Sequence, residues 1–372
     1  MNIEIIASFE HASGAPMAAL RLAHGLSERG HKLNATFIYR LETIPRSDFP
    51  FTLLFEREKV GALDALAAVS TLRRAFRERH ADAVISFLPL ANVIGQVAAF
   101  AAGVPVRLVS PRVPVTTYSR GMQLADSLLA RTGIYTCVVA PTGAVLRSCG
   151  HYPKRLRDTF SVVNNGLLDW TPSTLSRAEA RRHFGIPPGA FALVSVGRLA
   201  EQKNHAFLLP VMERIGDAVL LIAGGGELES QLRGEIAARG LQERVRLLGS
   251  IERTEIAKLL AAGDIFVQPS LFEGQSNALL EALASGLPCF VSDQPEQRET
   301  LTRADGTIAG AVLPFDAAAW AQAANRLKSD PVAANLARDA ARKRAADFSF
   351  ATMIDGFERA LAPGRKRAVE AV

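Results

Sequence analysis

Two glutamates eight residues apart, Glu273 and Glu281, bracket the segment FEGQSNALLE. Glu273 stands at the end of a strand-like run, and Ser276 and Asn277 suit the start of a helix whose apolar positions include Leu279, Leu280 and Leu283. The first carboxylate then sits in a loop and the second in the helix behind it, so both can face one polyhydroxyl ligand. Carboxylates accept hydrogen bonds from sugar or ribose hydroxyls, and a helix N-terminus suits phosphate. A buried structural network is the competing account, and the combination of Glu, Gly, helix start and second Glu favours the ligand. Upstream, SVGRLAEQKNH sets Gly197 directly after an apolar strand and follows it with Arg198 and Lys203, a close-approach position beside two cations that could neutralise a diphosphate. Taken alone, that segment is equally open to a structural turn with surface charges. The run LLIAGGGELESQLR places Gly224, Gly225 and Gly226 between a strand and a helix, where backbone N–H groups can meet an anion or simply make a sharp turn.

Stepping outward from these residues, the glycine patterns exclude some chemistry. None fits GxxxxGK[ST], and FEHASGAPMA does not fit GxGxxG, so a P-loop and a standard nicotinamide site lose their motif support. Cys137, Cys149 and Cys289 are too few and too scattered for a metal knuckle or a disulfide scaffold. No acidic metal cluster stands out; a cofactor is not required, and a non-essential Mg²⁺ is left open. The formal charge of +6 is uneven: residues 1–170 hold 19 Lys or Arg against 13 Asp or Glu, while the remainder balances. A basic first half can attract an anionic partner, either a phosphorylated acceptor or a membrane surface. Its densest internal patch, HYPKRLR with Lys154, Arg155 and Arg157, reads first as a solubilising turn. Nucleic acid is a weak explanation, because zinc spacing and interleaved aromatics are missing. The opening MNIEIIASFE lacks the form of a secretory signal and no 18-residue apolar run occurs, so a cytoplasmic protein is expected.

The elements that must position the carboxylates and cations alternate along the whole chain. IEIIASF reads as a buried parallel strand, and MAALRLAHGLSERGH as a helix closed by Gly30. Strand and helix patterns then recur through ADAVISF, ANVIGQVAAFAAG, VPVRLVS and TCVVAPT. After the polar, Pro-containing stretch TPSTLSRAEARRHFGIPPGA the alternation restarts with FALVSVG and continues through GDIFVQPS, PCFVSDQ and AGAVLPF. The 372 residues therefore read as two α/β domains with a junction near 166–175, and residues 333–361 as helical. In such sheets ligands bind beyond the carboxyl ends of the strands.

With these residues in hand, the chain resembles the family-four glycosyltransferases of the GT-B fold, retaining enzymes that use nucleotide-activated sugars. The segments that carry the resemblance are SGAP with LAHGLSERGH, then VVNNGL, SVGRLAEQKNH, IAGGGE and FEGQSNALLE. It implies two Rossmann-like α/β domains facing a central cleft: residues 1–168 binding the acceptor, 169–348 binding the donor, and a helix over 349–364 crossing back to the first. It implies that Arg198 and Lys203 bind the donor diphosphate, Glu281 the ribose and Glu273 the transferred sugar. Gly197, Gly225, Gln275, Ser276, Asn277 and Ala278 fall in the donor loops, and Ser250 and Ile251 where this fold contacts the base. Gly14, Arg112 and Asn165 fall on the acceptor or sugar side. The sequence departs from many relatives where a first-domain histidine is usual: the comparable stretch VSPRVPVTTYS carries Arg112, and His11 does not match that motif.

The resemblance thus implies transfer of a sugar from a UDP- or GDP-linked donor to a glycan, lipid-linked or phosphorylated, in polysaccharide biosynthesis at the inner face of the cytoplasmic membrane. A sugar-phosphate phosphorylase, a nucleotide-sugar epimerase and a non-catalytic nucleotide-sugar sensor are the other readings.

Overall fold

The structure, a computed structural model, describes residues 1–11, 14–41, 49–58, 60–167 and 170–362. Ser13 of the SGAP turn, residues 168–169 at the expected domain boundary and the basic tail with Arg365, Lys366 and Arg367 lie outside them. The chain forms two compact units, one of residues 1–166 together with the segment from Phe350 onward, the other of Leu167–Ser349.

The first unit alternates as the apolar pattern requires: β1 (Asn2–Glu10), α1 (Gly14–Glu28), β2 (Lys32–Arg40), β3 (Phe51–Phe55), α2 (Ala62–Glu78), β4 (Ala83–Phe87), α3 (Pro89–Ala102), β5 (Val106–Ser110), α4 (Arg120–Thr132), β6 (Cys137–Ala140), α5 (Gly143–Ser148), α6 (Lys154–Arg157) and β7 (Phe160–Val162). The strands form one parallel sheet in the order β3-β2-β1-β4-β5-β6-β7. Helices cover both of its faces, which is why Ile3, Ile5 and Ile6 of β1, pointing alternately up and down, are all buried. Helix α2 buries Ala68, Leu72 and Phe76, at the four-residue spacing of a single stripe that half-buried Ala65 and Val69 flank.

The second unit contains α7 (Arg177–His183), β8 (Phe191–Val196), α8 (Leu208–Met212), β9 (Ala218–Ala223), α9 (Glu229–Ala238), β10 (Val245–Leu247), α10 (Arg253–Ala262), β11 (Ile265–Gln268), α11 (Asn277–Ala284), β12 (Cys289–Ser292), α12 (Pro295–Leu301), β13 (Gly310–Leu313), α13 (Ala317–Ser329) and α14 (Pro331–Ala345). Its parallel sheet has the order β10-β9-β8-β11-β12-β13. In both sheets the winding reverses beside the first strand, between β1 and β4 and between β8 and β11, so each has a switch point where loops diverge and a crevice opens at the carboxyl ends.

The helical run expected over 333–361 is two helices. Helix α14 stops at Ala345, Phe348 is buried in the turn that follows, and α15 (Phe350–Leu361) returns to the first unit. There Met353, Ile354, Phe357 and Leu361 complete the core that Leu22, Leu26 and Phe87 begin, while Asp355 pairs with Arg29 at 2.8 Å on the rim. The basic patch at α6 is largely occupied: Lys154 pairs with Asp158 at 2.8 Å, and Arg155 donates to the carbonyls of Ala130 and Arg131 at the end of α4. Among the described residues no helix is long and apolar enough to cross a membrane.

Candidate functional site

The second unit's switch point is built by the segments after β8, β9 and β11. Beyond Val196 the chain runs as Gly197-Arg198-Leu199, stitched to the glycine loop by Gly197 N–H donating to the Ala223 carbonyl (2.9 Å) and Leu199 N–H to that of Gly225 (2.8 Å). Gly224 N–H in turn donates to the Gly249 carbonyl at 2.8 Å. The approach is so close that side chains have no room: a Cβ on Gly224, whose φ is +140°, would lie 2.0 Å from the Gly197 oxygen, and one on Gly226, at φ +157°, 2.5 Å from the Leu199 oxygen. The weak glycine signal in the sequence thus has a local cause, the crossing of two backbones. Arg198 projects from this seam exposed to solvent, between half-buried Gly197 and buried Leu199.

Lys203 folds back over the same seam. Its stem lies against Gly197, where an added Cβ would meet Lys203 Cδ and Cε at 3.3 Å, and its ammonium reaches Glu273 Oε1 at 2.5 Å. Two further bonds join their loops: Leu271 N–H to the Gln202 carbonyl (2.8 Å) and the Gln202 amide to the Phe272 carbonyl (3.0 Å). Strand β11 ends at Gln268, earlier than the strand-like run suggested, and Glu273 stands in the loop expected for its carboxylate. Ser276 caps α11, its Oγ accepting from Leu279 N–H, as the sequence signalled. Glu281, one turn into α11 and buried, lies 3.5 Å from Arg253 Nε, whose guanidinium also covers the Trp170 ring at 5.5 Å. Ser250 lies across from Gly225, where an added Cβ would come within 3.0 Å of Ser250 Oγ, and Ile251 packs into the core beneath. These contacts close a ring of neighbours: Lys203, Gly197, the glycine loop, Ser250, then Arg253 with Glu281, then the head of α11 and Glu273. Gln275, Ser276, Asn277 and Ala278 form that head.

Two supports of this ring were not visible in the sequence. A buried chain of hydrogen bonds runs from Ser276 Oγ to Gln268 Oε1 (2.7 Å), from Gln268 Nε2 to Gln297 Oε1 (2.6 Å), and from Gln297 Nε2 to Ser292 Oγ (2.6 Å). Buried Glu296 accepts the backbone N–H of Glu273 at 3.1 Å. Burial pushes its carboxyl above the usual range, and the negative charges of Glu273 and Glu299 push the same way. The only sequence hint was polar residues at the ends of apolar strands.

His205, two residues past Lys203, is buried, and its imidazole is pushed down to about 3, first by burial and second by the Lys203 charge. The unfolded imidazole takes up its proton at about 6.5. The folded state therefore holds its full advantage above that pH and loses it as pH falls toward 3. At pH 5 the loss from this group is about 2 kcal/mol. The thermal midpoint is expected to fall between pH 7.5 and pH 5, and by a smaller interval in His205→Gln; equal intervals in both proteins would show that His205 does not carry the effect.

The three residues that the resemblance puts on the acceptor or sugar side lie in the first unit. Gly14 opens α1 with φ +64°. Arg112 and Asn165 are buried and in contact, Arg112 Nη2 donating to Asn165 Oδ1. Among the described residues no group of three or more His, Cys, Asp or Glu is placed to hold a metal ion.

Residues 176–345, which contain the whole ring, match the family model described as Glycosyl transferases group 1. Among curated relatives, the protein EpsF of Bacillus subtilis is 30% identical over 262 residues, covering 64% of this chain and 65% of its own. The UDP-Gal:alpha-D-GlcNAc-diphosphoundecaprenol alpha-1,3-galactosyltransferase of Escherichia coli is 27% identical over 254 residues, covering 63% of each chain. The matched stretches thus span just under two thirds of both relatives. Among solved structures, Anabaena HepE in complex with UDP and glucose superposes with a TM-score of 0.82 at 17% identity, over 97% of this chain and 99% of that one. Sucrose-phosphate synthase from Thermosynechococcus elongatus gives 0.82 at 17% identity, over 96% and 98%. At these identities the likeness is one of fold.

Proposed function

We propose that this protein moves a sugar, with retention at the anomeric carbon, from a UDP- or GDP-linked donor to a lipid-linked or phosphorylated glycan in cell-envelope polysaccharide synthesis; the match of residues 176–345 to the group 1 glycosyl transferase model and the GT-B fold support this reading. The carrying observation is the ring itself, which sets the carboxylates Glu273 and Glu281 and the cations Lys203 and Arg253 around the glycine seam that bears Arg198. The chemistry that names the Escherichia coli relative, galactose transfer from UDP-Gal onto GlcNAc-diphosphoundecaprenol, and the UDP and glucose held by HepE support the donor and acceptor classes. The basic first half suits work at the inner face of the cytoplasmic membrane.

In this reading the diphosphate lies over Gly197 and Gly225, facing Arg198 and Lys203. As the bond from the anomeric carbon to the phosphate oxygen breaks, negative charge builds on the departing nucleoside diphosphate, and the two cations stabilise it. The acceptor hydroxyl attacks the same face of that carbon and its proton passes to the leaving phosphate oxygen, which balances the step without a covalent enzyme intermediate. Glu273 accepts from the sugar hydroxyls and Glu281 from the ribose, with Arg253 holding the Glu281 carboxylate in place. Neither glutamate acts as a nucleophile. Mg²⁺ is not required by this scheme.

A mass-resolved screen of nucleotide sugars against lipid-linked and soluble acceptors tests the proposal by its product. With the donor so found, Glu281→Gln is expected to raise the nucleoside diphosphate Kd about tenfold, the loss of a charged hydrogen-bond acceptor. An unchanged Kd would remove Glu281 from the donor site.

A further inference from the structure

We propose that Arg112 is the centre of an oxyanion subsite in the first unit, which receives a phosphate group of the acceptor. The inference rests on the transfer reading for its ligand, and on the following geometry for its existence. Arg112 follows the end of β5, and its side chain reaches Phe87 at the end of β4 and Asn165 beyond β7. Three strands of one parallel sheet therefore present their carboxyl ends to it, the edge where such sheets bind ligands.

What distinguishes Arg112 is the company it keeps. It is 7% exposed, and its partners are all neutral: Ser110 Oγ at 3.3 Å, Asn165 Oδ1, and the face of Phe87 with the guanidinium carbon 5.3 Å from the ring centre. Among the described residues no Asp or Glu stands within ion-pair distance. Two buried carboxylates of the same unit do have a cation, Glu4 paired with Arg79 at 3.0 Å and Glu10 with Arg40 at 2.8 Å, while buried Asp126 is held by the hydroxyls of Tyr135 and Tyr152. A buried charge without a counter-charge is costly, and a fork of five donors with two engaged is a ready partner for a phosphate. Burial lowers the guanidinium only to about 10, so it is cationic at neutral pH. The adjacent backbone is strained as well: Leu88, directly after Phe87, has φ +76°, a conformation that side chains rarely adopt and that clusters at ligand sites. The acceptor is the favoured source because the second unit already supplies Arg198 and Lys203 for the donor diphosphate.

Two variants of the full chain test this. Arg112→Met keeps the length of the side chain and removes the charge. Asn165→Asp sets a carboxylate against the guanidinium and fills the subsite with the protein's own anion. Both are expected to fold with thermal midpoints at or above that of the parent. Both are expected to raise KM at least 30-fold for an acceptor that carries a phosphate, and less than threefold for the same glycan without it. The nucleoside diphosphate Kd is expected to stay within twofold. Equal effects on both acceptors, or none, overturn the proposal; a weakened nucleoside diphosphate assigns the anion to the donor and overturns it too. An arm without turnover separates this inference from the transfer reading. With the second unit saturated by nucleoside diphosphate, inorganic pyrophosphate should raise the thermal midpoint of the parent and of Glu281→Gln but not of Arg112→Met. If Arg112→Met fails to fold, Asn165→Asp decides the matter in both arms. A parent that shows no pyrophosphate shift has no such subsite, whatever the transfer screen yields.

Discussion

Lys203→Met is expected to lower kcat by about 10²- to 10³-fold, the loss that follows removal of one preorganised charge from a developing anion. Methionine keeps the apolar stem that lies on Gly197 and deletes the ammonium that sits 2.5 Å from Glu273. The deletion has two consequences that must be told apart. One is the loss of positive charge at the leaving diphosphate; the other is a buried Glu273 left without its cation, which destabilises by about 3–5 kcal/mol when a buried pair is broken from one side. The double variant Lys203→Met with Glu273→Gln separates them, because it removes both charges together. Its denaturation midpoint is expected to recover most of the loss, while turnover stays low. Recovery of turnover along with stability would assign Lys203 a structural role and remove it from the reaction.

Gly224→Ala is expected to cost about 3 kcal/mol or more of folding stability and to abolish nucleoside diphosphate binding. The new Cβ would lie 2.0 Å from the Gly197 oxygen, and no rotation of a side chain can relieve a clash between backbones. Either φ leaves +140° or the seam opens, and opening it breaks the bonds from Gly197 to Ala223 and from Gly224 to Gly249. Gly225→Ala is the internal control, because its Cβ would meet only the movable Ser250 Oγ at 3.0 Å. Denaturant titration of the two variants checks the contrast. Equal stabilities would mean that the seam adjusts freely and does not hold Arg198 in place.

The alternation of strand and helix was legible in the sequence because central strands such as β4, β8 and β9 are buried on both faces and helices such as α2 on one, and both patterns survive in the order of the residues. The pairing of Glu273 with Glu281 across a helix start was legible for the same reason: the spacing is short. What was not legible connects residues distant along the chain. Arg253 meets Glu281 and Trp170, Gln268 meets Gln297, and Glu273 leans on Glu296, each through a crossover that periodicity does not encode. The break after α14 is absent from the residue pattern, which is alanine-rich and suits a helix throughout; only the family resemblance set a separate helix over 349–364. There the tertiary partners decide, with Arg344 donating to the carbonyls of Glu299 and Thr300 and Phe348 turning inward.

The return of α15 to the first unit sets an order on synthesis. The second unit is continuous in sequence and holds every residue of its own core, so it can fold as soon as Ser349 has left the ribosome. The first unit is begun earlier and finished later, because Met353, Ile354, Phe357 and Leu361 are the last of its core residues to be made. Until they arrive, the inner face of α1 has part of its cover missing, and the nascent chain carries an incompletely covered core ahead of a finished one.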